Sequence, residues 1–221
     1  MEFVGIDKFS LLDYEEKVSI VLFSPACNFR CPFCHNGDSV LNCNTTIPFD
    51  QILRYLETRK NVIDAVVITG GEPTLMPELK QRIIEIRKLG FLIKLDSNGT
   101  NPEVLKDLID SKLVDYIAMD IKNSEEKYPL TTGCKAINFE NIKKSIDLLK
   151  SSSVDYEFRT TLVKECHDAD SIKGIGELIK GAKKIYLQKF VDREGVIQKG
   201  LHEISLTEAN LFKDILSNYV N

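Results

Sequence analysis

Tryptophan is absent from this 221-residue chain, and histidine and methionine occur three times each. No apolar run approaches the ~20 residues that a helix needs to cross a bilayer. No stripe dense in lysine and arginine is found, and the formal net charge is −4. The electrostatic footprint of a nucleic-acid-binding protein is therefore missing. Met1 to Tyr14 lacks the basic and apolar regions of a secretory signal. Linkers and low-complexity tracts are lacking as well. These absences predict a cytoplasmic protein with no membrane or nucleic-acid partner, and the length fits one large domain.

What is present is cysteine, in an uneven distribution. Of six cysteines, Cys27, Cys31 and Cys34 crowd into "SPACNFRCPFCHN", while Cys43, Cys134 and Cys166 stand alone. In a reducing compartment structural disulfides are not expected, and clustered thiols point to metal or redox chemistry.

Strand-like and helix-like patterns alternate along the chain. Strands are predicted at Val18–Ser24, Ala65–Thr69, Phe91–Asp96, Val114–Ile121, Val154–Val163 and Lys184–Phe190. Helices are predicted at Phe49–Arg59, at Pro77–Leu89 with Gly90 beyond its end, and after Asn101-Pro102. Others follow at Phe139–Lys150, around Ser171–Lys180, and from near Thr207. About six βα units in a row imply a parallel sheet flanked by helices, either open or wound into a barrel. The strand faces favour the barrel. Lys94 and Asp96 share one face of "FLIKLD", Asp120 and Lys122 one face of "YIAMDIK", and Glu157 and Arg159 one face of "VDYEFRTTLV". Charge on one face and apolar residues on the other suit a wet or ligand-filled interior. The expected fold is α/β, a partial (β/α)6 TIM-like barrel. It forms a single domain over 1–221, with a core at about 17–191 and a C-terminal helix at about 206–218. Leu206, Leu211, Ile215 and Leu216 of that helix are expected to pack on the core.

The cysteine loop follows the first predicted strand, at the end where barrel active sites gather. Structural zinc would need a fourth ligand, for which Cys43 or His35 is available. A four-iron cluster held by three thiolates would leave one iron open to a chelating molecule. Three buried structural thiols are the third option. "TGGEP", Thr69 to Pro73, closes the next strand. Gly70 and Gly71 permit close backbone approach to a ligand, and Glu72 stands at the mouth. "DSNG" and "AMDIK" place Asp96 and Asp120 at the same end, where Asp120 can also pair locally with Lys122. A second metal site from Cys43, Cys134, Cys166 and His167 is also conceivable.

Cys27-x3-Cys31-x2-Cys34, with Phe33 before the third cysteine, resembles the signature of the radical S-adenosylmethionine (SAM) enzymes. The resemblance implies a [4Fe-4S] cluster on Cys27, Cys31 and Cys34, with SAM chelating the fourth iron. It implies SAM contacts from Gly70, Gly71 and Glu72. The "CHN" run and the two aspartate motifs are similar to those of glycyl-radical-enzyme activating enzymes. That likeness implies that Asn36 lies near the nucleoside and that Lys122 meets the methionine carboxylate. It also implies a monovalent cation held by the carboxylates of Asp96 and Asp120 and the backbone carbonyls of Ser97 and Ala118. Arg159, on the inward face of its strand, is a further candidate for ligand contact, whereas His35 is not expected to be catalytic. From "SLLDYEEKVS" to "YLQKF" the chain is similar to activating proteins of anaerobic ribonucleoside-triphosphate reductase, of the second, longer kind. The implied partners are a glycyl radical enzyme and a flavodoxin or ferredoxin as electron donor, in an anaerobic setting. Two readings compete: a radical SAM oxidoreductase acting on a small molecule or peptide, and a non-catalytic zinc or electron-transfer module. The likeness departs at "LQKFVD", which lacks the paired histidines of the pyruvate formate-lyase type, and no extra cluster domain is seen.

Overall fold

The computed structural model describes residues 1–41 and 45–220, so Cys43 lies outside the described residues. The chain begins with strands β1 (Gly5–Ser10) and β2 (Ser19–Ser24), helices α1 (Gly37–Leu41) and α2 (Phe49–Glu57), and β3 (Ala65–Gly70). A 3-10 turn (Pro73–Leu75) leads to α3 (Leu79–Lys88), β4 (Leu92–Ser97), α4 (Pro102–Asp110) and β5 (Tyr116–Asp120). The remainder is α5 (Tyr128–Thr132), α6 (Phe139–Ser151), β6 (Asp155–Leu162), α7 (Ala169–Leu178), β7 (Ile185–Lys189) and α8 (Leu206–Leu216). One seven-stranded sheet runs in the order β1-β2-β3-β4-β5-β6-β7. The β2–β3, β3–β4 and β6–β7 pairs are parallel. This is the α/β element order of a partial (β/α)6 TIM-like barrel, with β1 and β7 as the terminal strands.

Strand β1 is an addition to the predicted elements and runs antiparallel to β2, pairing Gly5 with Phe23 and Ser10 with Ser19. Its polar residues and exposed centre, Asp7 to Phe9, give it the weak signal of an edge strand. Helices α1 and α5 also escaped prediction, because five residues carry too little periodicity. Two helix starts moved. Pro77 lies in a turn ahead of α3, and α7 opens at Ala169, capped by Asp168.

Two compact units are distinguished by their internal contacts: Met1–Asn28 with Asp38–Ser97 and Glu103–Ala118, and Phe29–Gly37 with Asn98–Pro102 and the chain from Met119 onward. In the first unit, β2 and β3 are almost wholly buried, as expected of parallel strands covered on both faces. Leu79, Ile83 and Ile86 bury one stripe of α3. Arg82 on that helix is also buried, which its partners make tolerable: both carboxylate oxygens of Glu2, at 3.0 and 3.1 Å, and the rings of Phe3 and Phe49. Val21, Ala65 and Val67 pack with Tyr14 and Tyr116. Lys94, expected to face a wet interior, is instead 5% exposed, with its ammonium over the Tyr116 and Tyr14 rings at 5.1 and 6.0 Å.

In the second unit, Ile142, Ile146 and Leu149 bury the inner stripe of α6. Capping boxes start α7 (Asp168 with Ser171) and α8 (Ser205 with Glu208). The buried residues of α8 are Phe212 and Leu216. Leu206 and Leu211, expected to pack inward, are exposed, because the i, i+4 pair that faces the core begins one residue later than the leucine pattern suggests.

Candidate functional site

In the first unit the chain leaves β2 through Ser24, Pro25 and Ala26, and Ala26 adopts a left-handed φ of 54°. That conformation turns its carbonyl onto the loop after β3, where it accepts from the Glu72 N–H at 2.8 Å. The Ser24 carbonyl accepts from the Gly71 N–H at 2.9 Å. Gly71 is required here: a Cβ would lie 1.7 Å from the Ala26 oxygen. The "TGGEP" turn and the approach to Cys27 thus form one interlocked backbone unit. Glu72 is 1% exposed. Its Oε1 accepts from the Thr74 N–H, the Thr74 hydroxyl and, at 2.8 Å, the Ser97 hydroxyl at the end of β4. Glu72 therefore ties two predicted site segments together through a buried, well-bonded carboxylate. Asp96, beside Ser97, is buried as well.

The second unit holds Cys31, Phe33, Cys34 and Asn36, with Cys31 and Phe33 buried and Cys34 and Asn36 half-buried. The Cys34 N–H donates to the Cys31 carbonyl at 3.0 Å, closing a turn between the two thiols. Helix α5 supports the start of this loop. The Arg30 N–H donates to Thr132 O at 2.7 Å, and the Phe29 ring meets Tyr128 edge-on. Gly133, in a left-handed conformation after α5, leaves no room for a Cβ, which would stand 2.4 Å from the Arg30 oxygen.

Asp120, Lys122 and Arg159 are brought together. Lys122 Nζ lies 2.8 Å from Asp120 Oδ2, and Arg159 Nε lies 2.9 Å from Oδ1. Burial alone would raise the Asp120 carboxyl. The charges of Arg159 and Lys122 outweigh it and hold the group at about 2, below its ordinary 3.8. Burial opposes the charge on Lys122, but Asp120 and then Cys31 raise its affinity for the proton above the ordinary value. Each Asp120 oxygen thus already carries a cationic partner, so a monovalent cation there would share the carboxylate with two resident charges.

The main chain of Lys122 is fixed from both sides. Its N–H donates to the hydroxyl of the fully buried Tyr128 at 3.3 Å, and its carbonyl accepts from His167 Nε2 at 3.0 Å. The other His167 nitrogen, Nδ1, accepts from the Val163 N–H at 3.1 Å. With both ring nitrogens occupied by backbone, His167 is a neutral structural imidazole, and burial lowers its proton affinity. This leaves neither His167 nitrogen for the second metal site that the sequence made conceivable. His35 is likewise engaged. Its Nε2 donates to Val191 O at 2.9 Å and its ring stacks on Phe190.

Sequence reasoning missed Tyr128 and the segment Phe190–Gln198. The signal for Tyr128 was faint: an aromatic six residues after Lys122, ahead of a Gly-Cys pair. Among the described residues no three His, Cys, Asp or Glu side chains gather around a single ion. An iron–sulfur cluster asks for something else, one thiolate on each of several separate irons. Soft thiol donors fit that chemistry: Cys27 follows the close glycine turn within the first unit, and Cys31 and Cys34 belong to the second unit together with the buried cations Lys122 and Arg159.

Residues 21–170 match the radical SAM superfamily profile. A relative from Methanocaldococcus jannaschii, named provisionally as the glycyl-radical enzyme activating enzyme MJ1227, is 37% identical over 197 residues, covering 86% of this chain and 80% of its own length. A second from the same organism, MJ1632, with the same provisional name, is 30% identical over 167 residues, covering 72% of this chain and 62% of its own. Among solved structures, SuiB of Streptococcus suis bound to S-adenosylmethionine superposes with a TM-score of 0.65 at 15% identity, over 90% of this chain and 48% of that one. The last likeness bears on the fold alone. The chain belongs to the radical SAM superfamily, and no helix among the described residues is long and apolar enough to cross a membrane.

Proposed function

We propose that this radical SAM enzyme activates a partner glycyl radical enzyme, of the anaerobic ribonucleotide reductase kind. The observation that supports the activase reading is the 37% identity, over 86% of the chain, to a relative provisionally named a glycyl-radical enzyme activating enzyme; the ribonucleotide reductase partner rests on the sequence resemblance alone. When bound, a [4Fe-4S] cluster and SAM supply reductive sulfonium cleavage to methionine and a 5′-deoxyadenosyl radical that takes a Cα hydrogen from glycine. Cys27, Cys31 and Cys34 hold the cluster. Backbone from Gly70 and Gly71 and the buried Glu72 form the wall for the methionine amino group. Phe33 and Asn36 flank the nucleoside. The two cations and one anion of Lys122, Arg159 and Asp120 leave one net positive charge, which suits a carboxylate. Asp96 and Ser97 complete the rim. Electrons come from a flavodoxin or ferredoxin.

The test is electron paramagnetic resonance on anaerobically reconstituted, reduced protein, with and without SAM. A four-iron signal that shifts on adding SAM, and that is lost in Cys31→Ala, supports the site. An iron signal indifferent to SAM sinks it. The substrate is tested with an anaerobic ribonucleotide reductase deuterated at glycine Cα. Deuterium in 5′-deoxyadenosine supports the activase reading, whereas SAM cleavage without transfer points to a small-molecule or peptide substrate.

A further inference from the structure

The chain beyond β7 returns to the cysteine loop and fastens it. Phe190 lies parallel to the His35 ring, with centroids 5.6 Å apart and planes 7° apart. His35 Nε2 donates to Val191 O at 2.9 Å, across 156 residues of sequence. Two main-chain bonds follow: Gln198 N–H to Pro32 O at 2.8 Å and Ile197 N–H to Cys34 O at 3.3 Å. Gly37 closes the contact without a side chain, since a Cβ there would stand 2.5 Å from the Gly195 oxygen and 2.9 Å from Ile197 Cγ1. Every turn residue from Pro32 to Gly37 that carries a ligand or flanks one is therefore adjacent to a point of attachment. The histidine just after Cys34 contributes both a ring contact and a hydrogen bond.

We infer that Phe190–Gln198 is a latch and that His35 is its positioning residue, holding the Cys31–Asn36 turn in the shape its ligands require before any metal arrives. The purpose of the latch rests on the cluster reading above, but its geometry does not. The last strand thereby serves the site through an aromatic ring and main-chain groups. The shape of the turn is set by residues far away in sequence, as expected when a three-thiol loop must be preorganised.

The experiment uses metal-free, full-length protein under anaerobic conditions. The rate at which N-ethylmaleimide modifies Cys34 is read by peptide mass spectrometry, with Cys166 as the internal reference. His35→Ala should raise the Cys34 rate about tenfold, the loss of one net hydrogen bond together with a ring contact. Gly37→Ala should do the same by prying the latch apart. His35→Phe, which keeps the stack, should recover part of the protection. The reference rate at Cys166 should stay unchanged, which separates latch opening from unfolding. Reconstituted His35→Ala should show a broadened cluster signal relative to wild type. Equal Cys34 rates in all four proteins would overturn the latch. Parallel acceleration of Cys166 would also overturn it, since His35 would then be a general stability residue. If wild type takes up no iron while the maleimide rates follow the prediction, the latch stands and the cluster reading falls.

Discussion

Asp120→Asn tests the charge arrangement at the site without needing metal or SAM. Asparagine keeps the size of the side chain and removes its charge, leaving Lys122 and Arg159 close together at 15% and 14% side-chain exposure. Asp120 is itself three-quarters buried, so solvent screens the group only partly. Its carboxyl is depressed from 3.8 to about 2 in the folded chain. A depressed carboxyl contributes stability above its unfolded value and loses it as pH falls through the folded one. The linkage gives about 2.4 kcal/mol at pH 7 and about 1.3 kcal/mol at pH 3, an order-of-magnitude expectation. Urea unfolding of metal-free wild type and variant, at pH 7 and again at the lowest pH where both remain folded, measures the gap. The gap should be near 2 kcal/mol at neutral pH and shrink in acid. A constant gap would mean that the loss comes from shape rather than charge. A gap below about 0.5 kcal/mol at pH 7, the level of an ordinary surface pair, would refute the argument that this carboxylate is what makes two buried cations tolerable.

Two further substitutions separate ligand binding from folding. Gly71→Ala must displace the turn, because its Cβ would meet the Ala26 oxygen at 1.7 Å. SAM affinity, measured by equilibrium dialysis, should fall about tenfold or more, the scale of a backbone clash at a tight approach; unchanged affinity would remove this turn from the SAM site. Asp168→Ala removes the acceptor for the Ser171 N–H at the start of α7 and should cost ~1 kcal/mol. Lys127 first, then the Ser171 N–H, holds the Asp168 carboxyl at about 2. This contribution is therefore present above about pH 4 and fades towards pH 2. A melting difference between wild type and variant that widened in acid would contradict the assignment.

How much was legible in the sequence depended on the range of the physics involved. The strands were legible by two different signals: β2 and β3 as short continuous apolar runs, as in "AVVIT", and β4, β5 and β6 as runs with apolar residues on one face and charged residues on the other. The chemistry-bearing loop was legible because three thiols in eight residues have few alternative uses. Gly71 was legible as a glycine needed for close approach, though the atom it approaches, the Ala26 oxygen, was not. Edge strand β1 and helix α5 were not legible, because their sequence signals are weak and their stability comes from neighbours. The start of α7 lies two residues ahead of the approximate position expected, because Asp168 caps it.

The residues that organise the site were the least legible, for one common reason. Tyr128, His167 and Phe190 touch no ligand that a motif could announce. They hold main-chain or ring atoms of residues that do: Lys122 between Tyr128 and His167, and His35 against Phe190. Each partnership spans a gap in sequence with no periodic signature. A neutral histidine bonded to two backbone groups reads in sequence like a metal ligand, which is why His167 beside Cys166 suggested a second site. The distinguishing information is which ring nitrogens are occupied, and only the folded backbone supplies it. In this chain the sequence therefore names the atoms that would do chemistry, while the fold decides which neighbouring polar groups are supports. Those supports are where substitutions should shift the behaviour of the site without removing any ligand.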